Sequence, residues 1–329
     1  MSDDNFGLKD ADFWGSPLRD ADEIPEDGLY LAAPGAVPIA RRQTLPLVVR
    51  RACAMREAAT APFSTQGVLT AVDLERNRLF AGFAVETDNE VKRVFSPEDV
   101  EQMGEGRTLQ PYLLDARRSI DLPWRQSELL VGVLLRGEFS NRRKVSLGAE
   151  AGAFKDPAVE QFLEEKRGKN PPPPPWPEPG AGGELPAYGR MDGSPKAPDK
   201  PGIAVSGDRV TLLEKNATCR LFAACKLPVL KQDLVPGDDR PERAVISVHL
   251  LLTDADSPTP LTATLRVPIY QAVEEGKAAE AYFAVDLLSL FNLPRKTTTY
   301  FLYAFSREVM AGAQPFAFVT RDRLPPGAT

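Results

Sequence analysis

The stretch Tyr112-Leu113-Leu114-Asp115, followed by Leu122-Pro123, returns in the second half of the chain as Tyr282-Phe283-Ala284-Val285-Asp286, followed by Leu293-Pro294. The spacing is constant, since 286 − 115 = 171 and 294 − 123 = 171. An apolar run and an arginine follow each Leu-Pro pair, and the arginines keep the same spacing, since 307 − 136 = 171. A constant offset over a domain-sized distance predicts an internal duplication.

Each copy is dominated by short runs rich in Val, Leu, Tyr, Phe and Thr, separated by Gly, Pro, Asp and Asn. Such runs are typical of β-strands joined by turns. Each copy holds roughly six or seven of them, with one brief helical turn, and strands do not alternate regularly with helices. The sequence therefore predicts a mostly all-β protein of two tandem antiparallel β-sandwich domains, for which the immunoglobulin-like sandwich is the candidate fold.

The length of 329 residues suits two domains, and composition divides the chain further. We expect five segments: a disordered acidic leader over 1–28, copy one over 29–150, a helix and linker over 151–202, copy two over 203–323, and a tail over 324–329.

The segment between the copies begins with Asp156-Pro157, an N-cap followed by a favoured first helical residue. Five consecutive prolines, Pro171 to Pro175, then precede Trp176, and Gly and Pro dominate to residue 202. A proline run cannot form a helix interior or a central strand, so we expect polyproline II and then an irregular linker.

The net charge of −6 is concentrated at the amino terminus. Residues 1–28 hold nine acids against Lys9 and Arg19, a net of −7. This acidic stretch lacks the apolar core of a secretory signal, and the apolar runs are too short to span a bilayer. We therefore expect a cytoplasmic protein without a membrane span.

Three cysteines do not form the pattern of a disulfide framework. Cys53 and Cys225 lie in apolar runs 172 residues apart (225 − 53 = 172), which predicts buried thiols at equivalent positions of the copies. Cys219 and Cys225 are too far apart on one extended strand to form a disulfide bond.

Asp115 and Asp286 end matching strands. A carboxylate present in both copies could serve catalysis, but the preferred interpretation is that each caps the following turn.

Recognisable catalytic motifs are missing from the sequence. His249 is the single histidine, which excludes a multi-histidine metal centre within the chain, and alternation places it opposite Val248 and Leu250 as a surface or half-buried residue. There is no nucleophile elbow, phosphate loop or dinucleotide fingerprint. We predict no enzymatic activity and no cofactor.

A weak calcium candidate lies in Asp254 and Asp256 of the run Thr253-Asp254-Ala255-Asp256-Ser257. Calcium binds several oxygen ligands, but the preferred interpretation is that these are turn aspartates.

Candidate partner-binding residues fall into two groups. The first comprises the basic pairs of copy one, which copy two lacks: Arg50, Arg51, Arg117, Arg118, Arg142 and Arg143. They could bind an anion, an acidic partner or the leader, or they could be solvated arginines that protect sheet edges. Nucleic acid is not favoured, because no motif combines basic and stacking aromatic residues.

The second group consists of aromatic residues outside the copies. Phe13 and Trp14 stand among acids in the leader, and Trp176 stands in the proline run. Such segments suit short docking motifs, although a stiff spacer and an inert leader are the alternatives.

The sequence thus favours a non-enzymatic adaptor, accessory or assembly protein whose partner is another protein. The alternatives are a ligand-binding or hydrolytic protein with a site between the copies, and a structural component that assembles through sheet edges. The oligomeric state and the packing of the copies stay open.

Overall fold

The computed structural model describes residues 27–38, 45–54, 67–85, 101–102, 106–122, 126–135, 137–148, 185–235, 243–254, 259–271 and 273–320. Most of these residues lie in strands, and the described α-helices are single turns. The predicted mostly-β fold is confirmed. The leader, the helix expected after Asp156, the proline run with Trp176, Asp256 and the tail lie outside the described residues.

The first half forms two sheets. Their elements are β1 (Gly28–Ala32), β2 (Ala36–Pro38), β3 (Pro46–Ala54), β4 (Gly67–Asp73), β5 (Arg78–Phe83), β6 (Glu101–Gln102), β7 (Arg107–Asp115), α1 (Ala116–Ser119), β8 (Ser127–Leu135), β9 (Glu138–Phe139) and β10 (Arg143–Gly148). The smaller sheet has the order β1-β3-β7-β6 and is called sheet A. The larger, sheet B, has the order β2-β10-β8-β4-β5, with β9 paired to β8.

The second half also forms two sheets. Its elements are β11 (Ala187–Tyr188), β12 (Gly202–Gly207), β13 (Val210–Leu212), β14 (Arg220–Pro228), a 3-10 turn (Lys231–Asp233), β15 (Leu234–Val235), β16 (Arg243–Asp254), β17 (Leu261–Ile269), β18 (Ala278–Asp286), α2 (Leu287–Leu290), β19 (Thr298–Ser306) and β20 (Val309–Val319). Sheet C has the order β11-β18-β14-β12. Sheet D has the order β13-β20-β19-β16-β15, with β17 paired to β16.

Alternate side chains of each strand fill the space between the two sheets of each half, because successive residues of a strand point to opposite faces. Leu47 and Val49 of β3 belong to the core between sheets A and B. Leu221 and Ala223 of β14 belong to the core between sheets C and D. Each half therefore has its own hydrophobic core.

The strand orders of the two halves correspond. In chain order, β1, β3 and β7 of sheet A match β12, β14 and β18 of sheet C. In the larger sheets, the antiparallel series β10-β8-β4-β5 matches β20-β19-β16-β17, and β2 and β13 each pair in parallel with the last strand of their half.

Both strand-end aspartates cap the helical turn that follows, as predicted. Asp115 accepts from the backbone N–H of Arg117 at 3.0 Å and of Leu45 at 3.3 Å. Asp286 accepts from Cys219 N–H at 2.8 Å, as well as from two N–H groups of α2. Each carboxylate thus ties a helical turn to the start of a neighbouring strand.

Cys53 and Cys225 are buried free thiols, as predicted, and Cys219 is a third, but the predicted equivalence of Cys53 and Cys225 is wrong. Cys225 lies opposite Ala281, and Arg51 lies opposite Gln110, which is 171 residues earlier (281 − 110 = 171). Cys225 therefore corresponds to Arg51. The offset in this strand is 174 rather than 172, because the connections before β7 and β18 differ in length.

We expect the cysteines to react slowly in the native protein. Burial raises the pKa of Cys225 to about 12 and that of Cys219 to about 11, so the reactive thiolate is scarce. A coloured disulfide reagent should label none of the three within minutes at pH 8 and all three in denaturant. Equal rates in both conditions would contradict the observed burial.

Residues 185–201, which were expected to be irregular linker, contain a short strand, which corrects the boundary expected at residue 202. Ala187 and Tyr188 form β11, which pairs with β18 at the edge of sheet C. Ala197 is also buried. Small residues are sufficient for packing in this segment because its backbone lies directly against the sheet. A Gly- and Pro-rich composition therefore did not indicate an irregular linker here.

The outer faces of sheets B and D pack on each other, so the two halves stack as four layers. Val68, Val72, Leu130 and Leu134 of sheet B form one apolar cluster with Leu251, Tyr303 and Phe305 of sheet D. The Phe139 ring lies between, with its centroid 5.8 Å from that of Tyr303 and 5.9 Å from that of Phe305. We call this contact the junction.

Candidate protein-interaction surface

A polar network at the junction centres on the tip of the β4–β5 turn. Asn77 has a positive φ of 46°, a conformation that asparagine tolerates better than most residues. Its Nδ2 donates to Ser247 O at 2.7 Å and to Ser306 Oγ at 3.2 Å. Its Oδ1 accepts from Arg307 N–H at 2.9 Å. One side chain of the first half thus satisfies three polar groups of the second.

His249 belongs to the same network. Its Nε2 lies 2.6 Å from Asn77 O, and its Nδ1 lies 2.9 Å from Thr264 Oγ1. A carbonyl oxygen only accepts, so Nε2 carries the hydrogen and Nδ1 accepts from the threonine hydroxyl. Burial, together with the charge of Arg307, lowers the pKa of His249 to about 4. The imidazole is therefore neutral at pH 7.

The prediction of a surface or half-buried histidine is wrong, because His249 is only 2% exposed. Its position opposite Val248 and Leu250 was assigned correctly. The face of sheet D that carries His249, however, is covered by the first half of the chain.

A buried ion pair supports the turn that Asn77 contacts. Arg307 and Asp233 are 6% and 7% exposed, and their nearest N and O atoms are 2.5 Å apart. The other oxygen of Asp233 accepts from Leu230 N–H at 2.8 Å. Breaking one partner of such a pair leaves an uncompensated buried charge, so the pair holds the β19–β20 turn in place.

Residues at the rim complete the junction. Arg142 donates to Glu308 O at 2.6 Å, Lys144 Nζ lies 2.5 Å from a Glu308 carboxylate oxygen, and Tyr303 OH donates to Gly137 O at 2.8 Å. These contacts lie between the two halves, where a ligand site between the copies was considered.

The six predicted arginines do not form one surface. Arg50 lies half-buried on the outer face of sheet A, while Arg118 is exposed and Arg117 half-buried on α1. Arg142 contacts the second half of the chain, as described above. Arg143 Nε donates to Leu31 O at 3.2 Å within the first half.

Arg51 does not offer the exposed guanidinium that the prediction requires. It lies on the core side of β3, at the position equivalent to Cys225, and is only 7% exposed. The pattern of adjacent arginines was misleading here, because neighbouring residues of a strand point to opposite faces.

Asp254 is engaged by neighbouring residues rather than presented to a cation. Its two oxygens contact Lys296 Nζ at 2.6 Å and Thr298 Oγ1 at 2.7 Å. In the part of the chain that the structure describes, no three acidic, histidine or cysteine side chains lie close enough together to bind a metal ion.

A different surface stands out at the edge of sheet D. It consists of the outward residues of β13 and the end of β20: Val210, Leu212, Pro315, Ala317 and Val319. We call it the β13–β20 strip. Val210 is 67% exposed and Leu212 37% exposed, whereas Phe316 and Phe318 between them point into the core. Pro315 pairs with Phe301, so the strip continues the face that forms the junction.

The first half lacks this apolar character at the equivalent positions. Ala36 and Pro38 of β2 stand where Val210 and Leu212 stand in β13 (210 − 36 = 174, 212 − 38 = 174). Ala36 and Pro38 pair with Ser146 and Gly148. In the same way, Val210 and Leu212 pair with Ala317 and Val319. The strip is therefore a property of the second half alone.

Sequence reasoning missed the strip. A signal was present in the sequence. Comparing the two halves at an offset of 174 would have set Val210 and Leu212 against Ala36 and Pro38. The incorrect offset of 172 concealed that difference.

Among the described residues, no helix is long and apolar enough to cross a membrane. No family model matches the sequence, and no curated protein matches it.

Two solved structures show distant similarity to this chain. One is the C-terminal domain of the antigen I/II-family protein AspA of Streptococcus pyogenes, with 8% identity over 89% of this chain and 99% of that one, at a TM-score of 0.18. Another is a serine-rich repeat adhesion glycoprotein of Streptococcus agalactiae, with 9% identity over 90% and 96%, also at 0.18. TM-scores this far below 0.5 support neither a shared fold nor a shared activity.

Proposed function

We propose that this chain is a non-enzymatic adaptor or assembly protein, built from two tandem copies of an immunoglobulin-like sandwich, that binds another protein through the β13–β20 strip. The observation that carries the proposal is the strip itself. Contiguous exposed apolar residues at a sheet edge mark interaction surfaces on soluble proteins.

The strand orders support the immunoglobulin-like part of the proposal. In that fold, strands A, B, E and D form one sheet, and G, F and C form the other. Lettering the strands of the first half along the chain makes sheet A the A-B-E-D sheet and β10-β8-β4 the G-F-C series. The second half follows the same order, with β11 in the place of strand D. We retain 29–150 and 203–323 as the copies, the second extended back to residue 185.

The geometry of the strip favours an extended partner segment. Within the described residues β13 pairs with β20 alone, so its other edge can accept a strand. Pro38 removes one N–H donor from the equivalent edge of the first half. Main-chain pairing along β13 with apolar contacts to Val210 and Leu212 would recognise such a segment.

We expect Val210→Ser combined with Leu212→Ser to weaken partner binding by about tenfold or more, since burying either side chain at an interface contributes about 1 kcal/mol or more. The measurement is a quantitative pull-down from the source cells, followed by titration of the retained protein. Both side chains are exposed, so the melting temperature should change little.

Phe83→Ser is the matched control, because Phe83 is 43% exposed on β5 of the first half, outside the strip. It should leave binding unchanged. Equal loss in the control and the double variant, or full binding by the double variant, would contradict the proposed site.

The same strip could instead join copies of this chain, as the structural-component alternative requires. Sedimentation of the wild type and the double variant measures the oligomeric state and so distinguishes a second copy of this chain from a different partner protein. A wild-type oligomer that becomes a monomer on Val210→Ser with Leu212→Ser would make a second copy the partner.

A further inference from the structure

His249 is buried by the other half of the chain, not by its own sandwich. Its side chain lies on the outer face of sheet D, and the residue is only 2% exposed. Within the second half its hydrogen-bond partner is Thr264 of β17, which is itself exposed to solvent. Its other ring nitrogen contacts Asn77 O of the first half. Separating the two halves would therefore return the imidazole to water without unfolding either sandwich.

The hydrogen bonds of His249 do not by themselves oppose protonation. In the charged imidazolium Nε2 would still donate to Asn77 O, and Nδ1 would donate to Thr264 Oγ1, since a hydroxyl can also accept. The pKa of His249 is lowered chiefly by the loss of water around the ring and further by the charge of Arg307. The first of these causes exists only while the halves are stacked. The closed junction itself therefore excludes the proton.

The charged groups around His249 hold no spare carboxylate for an imidazolium. On the described elements packed near it, these groups are Asp73, Glu75, Arg76 and Arg78 of the β4–β5 hairpin, Lys231 and Asp233 of the 3-10 turn, Arg243 and Asp254 of β16, Arg266 of β17, and Arg307 and Glu308 of the β19–β20 turn. Every acid in this set already pairs with a cation: Asp73 and Glu75 with Arg76, Asp233 with Arg307, Asp254 with Lys296, and Glu308 with Lys144. A proton taken up inside the closed junction is thus not offset by a new ion pair.

The other contacts of the junction respond less to acid. Asn77 bonds to neutral groups of the second half. The buried pair of Arg307 with Asp233 lies within the second half and stays intact when the halves separate. Lys144 and Glu308 form an ion pair across the junction, but their side chains are 52% and 59% exposed, and exposed pairs contribute little to stability. His249 is therefore the group through which acid acts most strongly on this contact.

We propose that the junction is an acid-sensitive contact: a proton on His249 favours separation of the two halves, each of which keeps its own folded core. Both sandwich cores are distinct from the junction cluster, so neither depends on the stacking. Separation would uncover Leu251, Tyr303 and Phe305 on sheet D, an apolar face that the β13–β20 strip continues. The inference rests on the junction alone and does not require that the strip binds a partner.

The expected size follows from the two protonation equilibria. In separated halves the exposed imidazole has the ordinary histidine pKa of about 6.5, whereas in the closed junction its pKa is about 4. The separated state binds more protons between these values. Lowering the pH from 6.5 to 4 should therefore raise the ratio of separated to stacked molecules about a hundredfold. Above pH 6.5 His249 is neutral in both states, so the ratio no longer changes through this group.

The test is amide hydrogen exchange of the full-length chain, resolved by residue with NMR. The Arg307 N–H donates to Asn77 Oδ1 across the junction, so it exchanges when the halves separate. The Val229 N–H donates to Lys277 O within the second half, so it exchanges only when that half itself opens. Each rate is divided by the rate of an unstructured peptide at the same pH. On this scale Arg307 should exchange about tenfold or more faster than Val229.

The pH dependence assigns the effect to the histidine. Protection of the Arg307 amide should fall about a hundredfold between pH 6.5 and pH 4 in the wild type. It should fall much less in His249→Gln, which keeps an amide donor for Asn77 O but takes up no proton. Equal pH profiles for the two proteins would overturn the proposal. If the variant does not fold, the wild type alone decides, because exchange of Arg307 as slow as that of Val229 at every pH would mean that the junction opens only by unfolding.

Discussion

Phe305→Ala lowers the free energy of unfolding by about 3–5 kcal/mol, the usual cost of removing a buried phenylalanine side chain. Phe305 is 1% exposed and belongs to the junction cluster rather than to either sandwich core. Its loss should therefore loosen the contact between the halves in particular. We expect calorimetry of the variant to show two separate transitions where the wild type shows one.

The control for this substitution is Phe83→Ala, which removes the same side chain from an exposed position. It should cost less than about 1 kcal/mol, as surface substitutions usually do. If Phe305→Ala cost no more than Phe83→Ala, the stacking of sheets B and D would be wrong.

Between pH 6.5 and pH 4, His249 alone should remove about 3 kcal/mol from the free energy of unfolding. In the unfolded chain the imidazole takes up a proton near pH 6.5, whereas burial keeps it neutral in the folded protein down to about pH 4. The unfolded state thus binds more protons within this window, and stability falls as the pH falls. Above pH 6.5 both states are neutral, so this contribution does not change with pH.

Carboxylates also titrate in this window, so the effect of His249 must be isolated by a variant. His249→Gln keeps an amide that can donate to Asn77 O but does not titrate. Urea unfolding at several pH values should show a steeper loss of stability in the wild type than in the variant. Parallel pH profiles would contradict a buried neutral histidine.

Several features could be predicted from local patterns. Asp115 and Asp286 were identified as turn caps because a carboxylate at a strand end has nearby N–H groups to accept from. The buried thiols followed from their apolar surroundings. Both inferences depend on a few neighbouring residues, which explains their success.

The junction was not predicted. β4 is buried at every position in the structure, which requires cover on both faces of the sheet. The second layer that covers its outer face is supplied by the other half of the chain. The burial of His249 and the role of Asn77 depend on that layer.

The sequence by itself determined that the chain is mostly β and that its strand-end aspartates cap turns, because strand alternation and capping are properties of short segments. Only the tertiary structure decided which outer faces are covered. Val72 is buried against the other half while Val210 is 67% exposed, although both are valines on outward faces of strands. Whether an outward side chain meets water or another sheet depends on residues well over a hundred positions away, and no local pattern carries that information.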